Sequence, residues 1–276
     1  MEKKKIGFVG YGHMGGALLR GLLAAGAFPD SRVVAFTRTA EKLAGLTRRY
    51  PGIEIAENSR AAAEKSFLLF LCVGTAQVYP VLAEIRDTLG VETHLVSISG
   101  GVEMACVERL VTGPFTRIMP TLIAEVGEGV TLVCHNEKVA PAQKADLERI
   151  LKTIGEVRII TEDQFEAGAE LTSCLPGLLA SICDQFARAG ASRGFTYAEA
   201  ADLILHTMHG TAELLKRNRE DFQSLMRQVA TPGGSTEAGI YVLEQDLPDV
   251  FEKVFAASLE RHEARKQLTR KQFLAE

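Results

Sequence analysis

An α/β domain with a parallel-rich sheet, followed by an all-α domain, is what three features of the sequence predict. The apolar run Ile6-Gly7-Phe8-Val9 leads into Gly10-Tyr11-Gly12-His13-Met14-Gly15 and then into the helical stretch 17–25. A strand, glycines at the first, third and sixth places of a tight turn, and a helix make the dinucleotide fingerprint of a Rossmann domain. The second feature is Phe67-Leu68-Leu69-Phe70-Leu71-Cys72-Val73, an unbroken apolar run of the kind a strand buried on both faces of a parallel sheet shows. The third is a change of character near Thr161, beyond which no period-two stretch survives and everything reads at helical spacing. Residues 1–161 are therefore expected to form the nucleotide-binding domain and 162–276 a helical one.

The elements follow in alternation. Strands are expected at 6–9, 32–37, 53–55, 67–73, 95–98, 116–119, 130–134 and 157–160. Helices are expected at 40–50, which Thr39 can cap, and at 58–65, 76–89, 102–111 and 140–154. In the second domain the helical stretches are 171–189, 197–217, 222–229, 237–245 and 248–271, punctuated by Gly190, Gly194 and Pro232-Gly233-Gly234.

With 276 residues and 46% hydrophobic content the chain can bury a sizeable core. Its net charge of −4, with both signs interspersed, speaks against a nucleic-acid partner. The basic start Met1-Glu2-Lys3-Lys4-Lys5 is followed by a glycine-interrupted stretch, neither signal peptide nor membrane span. A soluble, cytoplasmic protein without a membrane partner is expected. The five cysteines, Cys72, Cys106, Cys134, Cys174 and Cys183, include no Cys-x-x-Cys pair, so disulfide and zinc readings fail and no metal is expected. His206-Thr207-Met208-His209 lacks a further ligand at zincin spacing and reads as ordinary helix.

In NAD-binding versions of this fold an acid ends the second strand and bonds the ribose 2′-hydroxyl. Here the strand ends in Thr37-Arg38-Thr39, a guanidinium between two hydroxyls, which suits a 2′-phosphate and so NADP(H). A solvated Arg38 beside a capping Thr39 is the alternative. Farther on, Thr231-Pro232-Gly233-Gly234-Ser235-Thr236 makes a sharp turn. It is expected to leave the N–H groups of Gly234, Ser235 and Thr236 free at a helix start beside two hydroxyls, a receptor for a carboxylate. The same residues also suit a plain interhelical turn with Ser235 or Thr236 as N-cap.

These segments resemble the pyrroline-5-carboxylate reductases. The opening Ile6 to Gly15, then Arg117-Ile118-Met119-Pro120, Val126-Gly127-Glu128-Gly129-Val130-Thr131, and Thr231-Pro232-Gly233-Gly234-Ser235-Thr236-Glu237-Ala238-Gly239 are similar to that family's motifs in order and spacing. The resemblance implies NADPH-dependent reduction of a cyclic imine to proline. It implies a substrate carboxylate on Thr231, Gly233, Gly234, Ser235 and Thr236, with the Thr236 hydroxyl near the ring nitrogen as the catalytic group. Cofactor contacts are implied for Gly10, Tyr11, Gly12, His13, Met14, Gly15, Thr37, Arg38, Thr39, Val73, Met119 and Pro120. A homodimer, or a higher homo-oligomer, built through the helical domain is implied as well.

The chain departs from the family at three places. Gly74-Thr75-Ala76-Gln77 stands where Lys-Pro-Gln is usual, and Met119-Pro120-Thr121-Leu122-Ile123 where Met-Pro-Asn-Thr-Pro is. Ser173-Cys174-Leu175-Pro176-Gly177-Leu178 replaces Gly-Ser-Gly-Pro-Ala-Tyr. Two other readings stay open: a dinucleotide-binding protein without turnover, and a 3-hydroxyacid dehydrogenase-like enzyme, whose lysine the stretch 168–182 lacks.

Overall fold

The structure, a computed structural model, describes residues 5–274. Eight strands stand where the sequence places them: β1 (Lys5–Val9), β2 (Val33–Phe36), β3 (Glu54–Ile55), β4 (Ser66–Leu71), β5 (His94–Ser97), β6 (Phe115–Met119), β7 (Gly129–His135) and β8 (Gly155–Ile159). They form one sheet in the order β3-β2-β1-β4-β5-β6-β7-β8. Every pairing is parallel except β6 with β7.

Period-two alternation drives both faces of this sheet into cores. In β4, Leu68 and Phe70 face one apolar layer and Leu69 and Leu71 the other. The first layer is closed by Leu18, Leu19 and Leu22 of α1 (His13–Ala24) and by Leu147, Ile150 and Leu151 of the helix α6 (Pro141–Leu151). Phe8 stacks on Phe70 at its centre, ring centroids 4.7 Å apart. The second layer takes Ala62 and Ala63 of α3 (Ser59–Glu64), Val78, Leu82 and Ile85 of α4 (Thr75–Ile85), and Val107 of α5 (Met104–Val107). The helix α2 (Ala44–Arg49) is preceded by a 3₁₀ turn over Ala40–Leu43, and although Thr39 sits at the capping position its side chain makes no capping bond.

The helical part comprises α7 (Phe165–Ala169), α8 (Leu175–Ala191), α9 (Tyr197–Asn218), α10 (Phe222–Val229) and α11 (Ser235–Leu274). The two helices expected at 237–245 and 248–271 are one: α11 runs 40 residues through Pro248. A proline in a helix interior removes one ladder bond and costs about 3 kcal/mol, a local cost that does not divide a helix of 40 residues.

By packing, the chain divides into two compact units, the first ending at Cys174 and regaining the chain from Ser258 onward, the second spanning Leu175–Ala257. The expected boundary at 161 falls inside the first unit, because Phe165 and Ala169 are buried in it and the end of α11 returns to it. There Phe273 meets Tyr79 edge-on at 5.0 Å. In the second unit α8 and α9 approach closely at Gly190, where a Cβ would lie 3.2 Å from that of Ala200. Among the described residues no helix is long and apolar enough to cross a membrane.

Candidate functional site

The chain order reverses between β1 and β4, which are neighbours although β2 and β3 lie on the far side of β1. At such a switch point the connections leave in opposite directions and open a crevice beyond the carboxyl ends of the strands. The glycine turn lies there, and each glycine has its own reason. Gly10 has φ +99° and a Cβ on it would stand 2.5 Å from the Cys72 carbonyl oxygen. Gly12 has nothing within 4 Å of a Cβ position, so it faces open space where a ligand can approach the backbone. Gly15 packs α1 against β4, with a Cβ only 2.6 Å from that of Cys72. Gly12 caps α1 without a side chain, leaving its first-turn N–H groups for an anion.

A cavity of about 210 Å³ occupies the crevice, lined by Gly10, Tyr11, Gly12, Thr37, Arg38, Thr39 and Val73 of the expected cofactor residues. Lys42, Gly74 and Gln77 line it too; Gly74 and Gln77 belong to the first departure from the family's motifs, whereas sequence reasoning passed over Lys42, which, four residues past Arg38, could have been found as a second cation. Among the described residues no carboxylate lines the cavity, so none of them repels a phosphate there. His13, Met14 and Gly15 open α1 beside it rather than lining it. Met119 and Pro120 do not line it either: Met119 ends β6 and Pro120 follows it, two strands beyond β4.

Met119 borders a second feature the sequence did not reveal as a site component. Arg117 on β6 is fully buried. Its Nη1 donates to Glu162 Oε1 at 2.5 Å, its Nη2 to the Gly100 carbonyl at 3.0 Å and to Glu166 Oε1 at 3.3 Å, and its guanidinium lies 4.1 Å from the Phe165 ring centroid. Lys266 Nζ meets the same Glu166 at 2.7 Å. A buried guanidinium needs such partners, and here they tie the strand end to the Gly100-Gly101 loop and to α11. An arginine two places before a Met-Pro at a strand end was the one signal for it.

The turn expected to hold a carboxylate belongs to the second unit. Gly233 adopts φ +72°, so the left-handed conformation falls at Gly233 and not at Gly234. The expectation of a free Gly234 N–H is corrected: it donates to the Thr231 carbonyl at 2.8 Å, closing the turn. A Cβ at Gly234 would stand 2.6 Å from Thr231 Oγ1. Gly233 N–H donates to Glu237 Oε2 at 2.7 Å, so the turn already accommodates a carboxylate, its own. Ser235 and Thr236 open α11, where first-turn N–H groups have no intrahelical acceptor.

Comparison with known proteins agrees with this geometry. The family profile described as pyrroline-5-carboxylate reductase dimerisation matches residues 162–265, and that described as NADP oxidoreductase, coenzyme F420-dependent, matches residues 5–101. Pyrroline-5-carboxylate reductase 3 of Bacillus subtilis is 30% identical over 94% of this chain and 96% of its own. ComE operon protein 4 of the same organism is 27% identical over 98% and 99%. The structure of a pyrroline-5-carboxylate reductase from Coxiella burnetii superposes with a TM-score of 0.87 at 28% identity, covering 95% of this chain and 98% of the other. With the glycine crevice in place and the likeness running through both units, the chain belongs to the pyrroline-5-carboxylate reductase family.

Proposed function

We propose that the protein reduces pyrroline-5-carboxylate to proline with NADPH, acting as a homodimer. The observation that carries this reading is the crevice between β1 and β4, whose phosphate end offers Arg38, Lys42 and two threonines and, among the described residues, no carboxylate. Each charge-assisted bond to a 2′-phosphate contributes about 1.5 to 3 kcal/mol. When bound, NADPH supplies the hydride. The Gly12 turn and the start of α1 orient the cofactor through its pyrophosphate.

The substrate carboxylate rests on the turn of the second unit. Glu237 already holds the Gly233 N–H, so Ser235 and Thr236 are left with the task, through first-turn N–H groups and two hydroxyls. A protonated cyclic imine is an electrophile with a full positive charge, and hydride addition at its carbon yields a neutral amine without a further proton donor. Thr236 then positions the ring through its hydroxyl, which accepts from the iminium N–H.

Steady-state NADPH oxidation with pyrroline-5-carboxylate, beside other cyclic imines and 2-oxo acids, tests the reading. Thr236→Ala should lower turnover about 10²-fold, as loss of one group at a changing charge does, and leave NADPH affinity unchanged. Gly234→Val should raise KM as well, because its side chain would displace Thr231. Tight NADPH binding with no turnover on any of these substrates would favour a binding protein instead.

A further inference from the structure

One partly buried cluster lies outside the groups assigned to the reaction above. Between α7 and α8 the chain widens into a π-helical segment, Glu170–Cys174, a rare geometry that concentrates at functional sites. The Glu170 side chain is 1% exposed. Its Oε1 accepts from Ser258 Oγ at 2.5 Å and His262 Nε2 at 3.1 Å, both on α11, and from Cys174 Sγ at 3.6 Å. The carboxylate oxygen, thiol sulfur and imidazole nitrogen all lie within 4.8 Å of one another.

Those separations are close to what a tetrahedral ion requires. Bonds of about 2.0 to 2.3 Å at tetrahedral angles set neighbouring ligand atoms about 3.3 to 3.6 Å apart. The donor set of one oxygen, one nitrogen and one sulfur suits a borderline-soft divalent ion and not Mg²⁺ or Ca²⁺. We infer that Glu170, Cys174 and His262 form a three-ligand site for Zn²⁺, with Ser258 orienting the carboxylate from outside the coordination shell.

Charge favours the ion. Binding replaces the thiol proton, which leaves to solvent as the Zn–S bond forms, and the thiolate and carboxylate together balance the dication. Arg265, whose charge is felt at Cys174, opposes a further cation and sets a limit on affinity. His262 and Cys174 are only partly buried, which gives an ion a way in. Three protein ligands leave a fourth position open, the pattern of reactive rather than purely structural zinc. No spacing in the sequence announces the site, because His262 lies 88 residues beyond Cys174.

The full-length protein, stripped of metal, reduced and titrated with Co²⁺, tests the assignment. A stoichiometric thiolate-to-cobalt charge-transfer band should appear in the near ultraviolet and bleach on adding Zn²⁺. Cys174→Ser should abolish the band, Cys183→Ser should keep it, and Ser258→Ala should weaken Co²⁺ binding about tenfold. NADPH binding reports that each variant is folded. Absence of the band in the unsubstituted protein overturns the site, as does a band that survives Cys174→Ser. Should Cys174→Ser fail to fold, His262→Ala decides: unchanged Co²⁺ affinity in it overturns the assignment.

Discussion

The two compact units bury their side chains to very different extents. In the sheet unit the apolar residues of β1, β4 and β5 are almost all buried, held between helices on both faces. In residues 175–257 only Ala187 and Ala200 are buried, while Leu203 is 53% and Tyr241 64% exposed. The sheet unit thus builds its core from its own chain. The helical unit lays out apolar faces such as that of Phe186, Leu203 and Ile204, which only another apolar surface can cover. This difference is what a dimerisation region looks like when a single chain is seen alone.

Putting a charge on the helical face should have the largest effect. Leu203→Glu would bury an unpaired carboxylate in the expected dimer contact, raising its dissociation constant about 10³-fold, or about 4 kcal/mol. Light scattering should then find monomers at micromolar concentration, and an unchanged mass would break the comparison. Next comes the sheet unit's own weak point. Arg117→Ala takes the guanidinium from the buried Glu166 as well as from Glu162 and leaves a cavity against Phe165, and should cost about 3 kcal/mol or more in denaturant unfolding. Arg38→Ala should weaken NADPH binding about tenfold or more and leave NADH affinity unchanged; equal losses for the two cofactors would remove the 2′-phosphate from that end of the crevice.

A further effect is tied to pH. His94 Nε2 and His135 Nδ1 both bond Thr116 Oγ1 at 2.7 Å inside the sheet. Burial pushes His94 down to about 4, helped by His135, and burial with Lys144 pushes His135 to about 4. Because both folded values lie below the ordinary imidazole value of about 6.5, the unfolded chain takes up protons first as pH falls. Their contribution is therefore full above about pH 6.5 and drains toward pH 4, His94 alone accounting for about 2 kcal/mol by pH 5. Urea midpoints across that range check it, and a shallower profile in His94→Gln than in the unsubstituted protein, the remaining slope being that of His135, would assign it. Ile55, 43% exposed on the edge strand β3, should be the mildest: Ile55→Thr should change stability by no more than about 0.5 kcal/mol, in contrast to Leu203.

Legibility followed the range of the interactions. The glycine turn could be read outright, since three glycines, a strand and a helix are all neighbours in sequence, and the structure assigns each glycine a separate steric need. Thr37, Arg38 and Thr39 were legible for the same reason. Lys42 escaped because it enters the crevice only once the 3₁₀ turn Ala40–Leu43 carries it there. The Gly233 turn was legible as a turn, but which N–H groups it leaves open depended on the Thr231 carbonyl and Glu237 carboxylate, whose choice of partner is made in three dimensions.

Sequence alone determined the strands, the crevice and the glycine turn and strand end that line it, because hydrophobic period and glycine placement act over a few residues. Only the tertiary structure decided that α11 passes unbroken through Pro248 and returns its end to the sheet unit. That return sets Lys266 on Glu166 and brings Ser258 and His262 to Glu170. Pairings of this kind join residues about ninety positions apart and are fixed by where two helices come to lie, which no local pattern of side chains encodes.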